Sequence, residues 1–258
     1  MKTRLIPSLL LFVCVQALGW GSTAHRAAAG IAERYLSPEA RLAIEDILER
    51  ETLAEASTWP DFMRSAPSEF WQSTANPWHY VTVPAGKAYK EVGAPEQGDA
   101  YTALQRFSAD LRAAETPPQD RALALRFIIH IIADLHQPLH VGNGTDRGGN
   151  DTRVTYFGQS TNLHRVWDSQ LVDSEQLSYS EWIEWLDRKI SHEDFDAWRD
   201  PDPLVWIAES AELRQRIYPD EPDLAWDYRY RWSSALRRRI SQAGVRTAVY
   251  LNELFADE

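Results

Sequence analysis

Small and apolar residues recur three and four apart at Ala24, Ala27, Ala28, Ile31, Ala32 and Tyr35, the spacing of one face of an α-helix. Ser22 or Thr23 stands where an N-cap belongs, so the first helix is predicted over about 22–35. Ser37-Pro38-Glu39 offers a cap with proline at the first helical position and opens a second helix reaching about Arg50. Further helices are predicted at about 98–114, 119–136, 162–174, 179–190, 201–216 and 232–254, with Pro117-Pro118 and Pro201 at positions where helices begin. One segment is convincingly extended, 151–157, set between Gly148-Gly149 and Gly158; Val81-Thr82-Val83 is at most a short strand. No repeat, low-complexity tract or linker breaks the pattern. It specifies an all-α fold: one mainly helical domain with a short β-hairpin.

Composition narrows this picture. The 258 residues are 44% hydrophobic and 25% charged, which excludes a disordered chain, and 11 Trp supply bulk for a wide core. The net charge of -11 excludes duplex DNA binding through a broad basic face. Residues 1–19 have the form of a signal peptide: Lys2 and Arg4, an apolar stretch from Leu5 to Leu18, then small residues at Ala17 and Gly19. Cleavage after Gly19 is expected to leave Trp20 as the N-terminus of a domain spanning 20–258, exported to a periplasm or the cell exterior. The apolar stretch is short for a membrane anchor, and none is expected. Cleavage takes two bases and no acid, moving the formal charge from -11 to -13, and removes Cys14, the only cysteine. An exported chain without disulfides needs another stabiliser, and bound metal is the obvious one.

The histidines carry the chemistry. His130 and Asp134 lie four apart on a predicted helix, hence on one face, and His140 follows the helix-breaking Pro138. His164 and Asp168 repeat the spacing, while His79, Asp61 and His25 lie in other segments. Zinc takes imidazole nitrogen and carboxylate oxygen, and a His–Asp pair one turn apart offers both. A single such pair is more simply a surface ion pair. Two pairs with further histidines on either side favour a multinuclear metal site, of a nuclearity that spacing leaves open. His136 reads as lying behind or at the rim of that site, and His192 as solvated surface.

Taken together and in order, Trp20-Gly21 at a cleavage site, His25, Trp59-x-Asp61, Arg64, the His130-to-His140 segment and His164-x-x-x-Asp168 resemble the three-zinc type I nucleases. This family includes the fungal single-strand nucleases called S-one and P-one, with plant and bacterial relatives, and shares a trinuclear zinc fold with zinc-dependent phospholipase C. The resemblance implies three Zn2+. One is held by Asp61, His79, His130 and Asp134. A second is held by the amine and carbonyl of Trp20, by His25 and by a bridging Asp134; the third sits on His140, His164 and Asp168. Three divalent ions against three aspartates leave a locally positive cluster in an acidic chain, suited to one or two phosphodiesters at a time.

The implied activity is hydrolysis of single-stranded DNA and RNA to 5′-phosphorylated products, with 3′-nucleotidase activity on 3′-nucleotides and no stable protein partner. Asp61 is expected to orient the attacking water and Arg64 to stabilise charge on the phosphoryl oxygens. Tyr80, after His79, is the candidate for stacking on a base. Thr82 stands where fungal relatives carry an acid that reads a base edge, and Asn150, in the Gly148-Gly149-Asn150 loop, is a candidate nucleotide contact. Two alternatives compete: a zinc phospholipase C acting on lipid head groups, and a non-catalytic zinc protein. The second is disfavoured because nine ligand residues leave open positions on three ions, whereas structural zinc is closed by four protein ligands.

Overall fold

A helix that is apolar on every side belongs in the middle of a fold. In the computed structural model, which describes residues 20–256, that position falls to the 119–136 prediction, observed at Pro118–His136 and buried without interruption from Phe127 to His136. The chain reaches it through α1 (Ser22–Tyr35), α2 (Pro38–Leu48), α3 (Leu53–Ala56), α4 (Trp59–Met63), a π-turn at Phe70–Thr74 and a 3-10 turn at Asn76–His79. Strand β1 (Val81–Thr82) follows, then α5 (Tyr89–Val92), α6 (Ala100–Arg112) and the central helix itself, α7 (Pro118–His136). Beyond it come a 3-10 turn at Pro138–His140, β2 (Val141–Gly142), β3 (Arg153–Tyr156) and β4 (Gln159–Asn162). The remainder is α8 (Leu163–Arg165), a π-turn at Val166–Gln170, α9 (Leu171–Asp173), α10 (Tyr179–Asp187), α11 (His192–Trp198), α12 (Pro203–Ile217), β5 (Asp223–Leu224) and α13 (Trp226–Leu254).

Two apolar clusters flank α7. One gathers Leu104, Phe107, Phe127, Ile128, Ile132 and Trp206; the other gathers Trp20, Ile31, Ala133, Trp167, Trp182 and Trp232. Neighbouring residues of α7 thus serve different clusters, and His130 and Asp134 lie at their seam. The alanines of α1 let it approach α13 closely. At Gly244 an added Cβ would stand 2.6 Å from Ile31 Cβ, so α13 needs glycine there.

Two small sheets place loops at the same end of α7. β1 pairs in parallel with β2, Val81 opposite Val141, which ties the chain after His79 to the chain after His140. β3 and β4 form an antiparallel hairpin with Tyr156 opposite Gln159, and β5 joins β3 in parallel. Phe157 (φ 47°) and Gly158 (φ 77°) make the two-residue turn, whose left-handed backbone matches the twist of the strands.

Several element boundaries differ from the sequence reading. Neither Ser22 nor Thr23 caps α1; both lie inside it and Gly21 is the N-cap, because the Gly21 N–H is tied to the Asp168 carbonyl at 2.7 Å. The extended segment predicted at 151–157 contracts to 153–156 and gains a partner at 159–162. The helix predicted from 162 is divided by a π-turn, and α13 begins six residues before the expected 232. Pro201 does not open α12; Asp202 caps it and Pro203 is its first residue. Short helices such as α11 escaped notice although Ser191 and Asp194 form a capping box. The proposed leader 1–19, with Cys14, lies outside the described residues. No helix among those described is long and apolar enough to cross a membrane.

Candidate metal centre

Seven short and long elements deliver their histidines and aspartates to one buried region. α7 brings His130 and Asp134 on one face, with His130 Nε2 3.0 Å from Asp134 Oδ2. From the 3-10 turn, His79 directs Nδ1 to within 2.8 Å of His130 Nε2 and 3.3 Å of Asp134 Oδ2. Asp61, on α4, places Oδ1 3.7 Å from His79 and 3.8 Å from His130. On α1, His25 stacks its ring on His130 at 4.2 Å between centroids and sets Nε2 3.4 Å from Asp134 Oδ1. His140, His164 and Asp168 form a further group, with His164 Nε2 2.9 Å from Asp168 Oδ2 and His140 Nε2 3.7 Å from Oδ1.

These residues fall into three sets whose ligand atoms lie within 4.8 Å of one another: His25, His130 and Asp134; Asp61, His79 and His130; His140, His164 and Asp168. The third set has the members expected from the resemblance; in the other two the shared residue is His130, where Asp134 was the expected bridge, and Trp20 belongs to neither. His25, His130 and Asp134 are fully buried, where charge is tolerated only against an opposite charge or a metal. Buried polar atoms without hydrogen-bond partners include His25 Nε2, Asp61 Oδ1, Asp134 Oδ1, His140 Nε2 and His164 Nε2, all facing these sets. A donor set of imidazole and carboxylate left unpaired in this way fits zinc.

The surrounding backbone prepares the rings. A carbonyl can only accept, so Nδ1 of His130, His140 and His164 must donate to Ser57 O, His79 O and Gly148 O, each at 2.7 Å. That fixes the tautomer and turns a Nε2 lone pair toward the cluster. Burial lowers the pKa of His25 and, despite opposition from Asp134, that of His79. Burial acts against charge on His140 too, but Asp134 and Asp168 overcome it and push the pKa up to about 9. Asp134 is held well below the usual carboxylate range because His130 and His140 outweigh its burial. The pocket therefore favours anionic carboxylates seeking positive charge.

Trp20 is buried, with its indole N–H bonded to Ala133 O at 2.8 Å. This places residue 20 beside the turn of α7 that carries Asp134. Asp168 lies in the π-turn, four residues after His164 on α8, and the two face each other. His136 is not at the rim. It is fully buried, donates Nδ1–H to Ile132 O and accepts at Nε2 from Arg246. His192 is exposed, as expected.

A cavity of about 490 Å³ opens over the cluster, and Arg64, Tyr80, Thr82, Asn150, His140 and His164 line it. Tyr80 is 43% exposed, so it is available for stacking and is not a core residue. Arg64 Nη1 lies 3.6 Å from Asp61 Oδ1, and Nη2 donates to Asn76 Oδ1 at 3.0 Å. The Asn150 side-chain amide is engaged within its own loop, donating one N–H to Arg147 O at 2.9 Å. Sequence reasoning missed Asn76, Arg147 and Gln137. Gln137 donates to Asp168 Oδ1 and so orients a candidate ligand; its position between His136 and His140 was the available signal.

Comparison with known proteins agrees with this geometry. A family model described as S1/P1 Nuclease matches residues 20–256. Nuclease S1 of Aspergillus oryzae is 29% identical, covering 96% of this chain and 97% of its own. Endonuclease 3 of Arabidopsis thaliana is 28% identical, covering 93% and 90%. Among solved structures, an alpha-toxin of Clostridium perfringens superposes with a TM-score of 0.50 at 17% identity, over 94% of this chain and 65% of the toxin; this shows shared fold alone.

Proposed function

The chain belongs to the S1/P1 nuclease family of zinc-dependent phosphodiesterases, and from that premise we propose that it cleaves single-stranded DNA and RNA to 5′-phosphorylated products and removes phosphate from 3′-nucleotides. The observation that carries this is the meeting of three His/Asp sets under one cavity that also presents an arginine and an exposed tyrosine. Asp61, His79, His130 and Asp134 would hold one zinc, Trp20, His25 and Asp134 a second, and His140, His164 and Asp168 a third. For Trp20 to contribute its amine, the bond to Gly19 must be cut, which makes the protein an exported one, periplasmic or extracellular. Bound zinc supplies positive charge and lowers the pKa of coordinated water toward neutrality.

The protein's own groups do the rest. Asp61, with Oδ1 directed toward His79 and His130, accepts a hydrogen bond from the attacking water on its other carboxylate oxygen and orients the water oxygen toward phosphorus. Arg64, steadied by Asn76, donates to the non-bridging oxygens as their charge grows. The new P–O bond forms in line as the P–O3′ bond breaks, and the 3′ oxygen leaves with a proton as a hydroxyl. Tyr80 offers its ring to a base that duplex stacking would hide, which supports single-strand preference. Thr82 can donate or accept and so places no charge against a base edge.

The phospholipase alternative has only the shared fold in its favour. Matched single-stranded and duplex DNA, incubated with zinc-loaded protein starting at Trp20, test the reading. Mass analysis is expected to show rapid loss of the single strand to 5′-phosphorylated products. Equal cutting of the duplex would reject the single-strand preference, and 3′-phosphorylated products would reject the stated bond.

A further inference from the structure

The loop between β2 and β3 passes through three successive left-handed residues, Arg147 (φ 52°), Gly148 (φ 62°) and Gly149 (φ 80°). Glycine adopts this backbone freely; arginine does not. The loop is nevertheless pinned. A Cβ on Gly148 would collide with the Leu139 carbonyl, Gly148 O accepts from His164 Nδ1, and Arg147 O accepts from the Asn150 amide. A strained residue held in a fixed loop beside a reactive centre invites a functional reason.

The side chain of Arg147 supplies one. It lines the same cavity as Arg64 and is 74% exposed, with Nε 3.3 Å from the carboxylate of Asp151, itself 54% exposed. An ion pair so open to water is weak and easily exchanged for another anion. Both arginines line the cavity that also exposes His79, His140 and His164. Arg64 stands against Asp61, while Arg147 is next in sequence to the residue that orients His164. Among the described residues lining the cavity there is no Asp or Glu, although the whole chain carries a net charge of -11.

We propose that Arg147 holds the phosphate that flanks the scissile one, forming a second phosphate subsite for a polynucleotide. This rests on the single-strand nuclease reading above. Guanidinium matches phosphate oxygens in a fork, and the pinned backbone fixes the point from which this side chain reaches into the cavity. A dinucleoside monophosphate has one phosphodiester and nothing to offer Arg147, whereas a hexanucleotide does.

The test compares kcat/KM for these two substrates across a salt series, with zinc-loaded wild type, Arg147→Ala and Arg147→Lys. In Arg147→Ala the hexanucleotide-to-dinucleotide ratio is expected to fall about fivefold to tenfold. The salt slope on the hexanucleotide should become shallower by about 0.7, the loss of one phosphate contact on a single strand. Arg147→Lys should recover the slope and part of the ratio. A ratio and slope in Arg147→Ala equal to those of wild type would overturn the subsite. Wild type that cuts neither substrate would instead sink the substrate class, and the subsite with it.

Discussion

The guanidinium of Arg64 is posed by Asp61 at 3.6 Å and Asn76 at 3.0 Å, and the role proposed for it on a phosphoryl oxygen depends on that pose. Arg64→Ala is expected to lower kcat on a single-stranded oligonucleotide by about 100-fold to 1000-fold with a far smaller change in KM, the scale of losing one donor to a developing oxyanion. Asn76→Ala keeps the arginine but loosens it, so steady-state kinetics should show about a tenfold lower kcat. Unchanged kcat in both variants would remove Arg64 from the chemistry. The candidate ligands were legible because helical spacing brings His130 to Asp134 and His164 to Asp168 without knowledge of the fold. Asn76 was not. Its partner lies twelve residues away across a turn, and an asparagine before proline reads simply as turn chemistry.

At the scale of elements, two glycines separate backbone strain from collision. Gly148 (φ 62°) would drive a Cβ into the Leu139 carbonyl, whereas Gly158 (φ 77°) has open space around it. Gly158→Ala is expected to cost about 1 kcal/mol, from the left-handed backbone alone. Gly148→Ala should cost at least about 2 kcal/mol more, because backbone oxygen cannot step aside as a side chain can. Denaturant unfolding of both variants checks this, and equal costs would show that the loop is not pinned. The same contrast explains what the sequence revealed of the fold. Periodic helices were readable to within a few residues, since burying an apolar stripe is a local requirement. The cap of α1 was misread because the Gly21 N–H is claimed by Asp168, a contact across nearly 150 residues. The π-turn around Asp168 was likewise invisible, since it follows from packing and not from propensity.

The whole molecule is held at its centre by charge as well as by apolar packing. Glu209 accepts from Arg246 at 2.5 and 2.8 Å and from Arg239 at 2.6 Å, and Arg239 also donates to the His136 carbonyl at the end of α7. Burial alone would raise the pKa of Glu209, but the two guanidiniums overcome it and hold the carboxyl below its ordinary range. A depressed folded-state pKa means this stabilisation is complete above the ordinary glutamate range and fades as pH falls through the lower folded value. Glu209→Gln should therefore be less stable near neutrality by about 2 kcal/mol, leaving two buried arginines poorly paired, and its melting temperature should fall less steeply with acid than that of wild type. Parallel acid profiles would contradict this. Between the two apolar clusters, beside α7, lie the three His/Asp sets proposed above to hold three zinc ions. The most direct measurement is a zinc titration of chelator-treated protein starting at Trp20, following cleavage of a single-stranded oligonucleotide. Negligible cleavage is expected without zinc, with a plateau at three equivalents per chain; full activity without metal, or a plateau at one equivalent, would rule out a three-zinc centre.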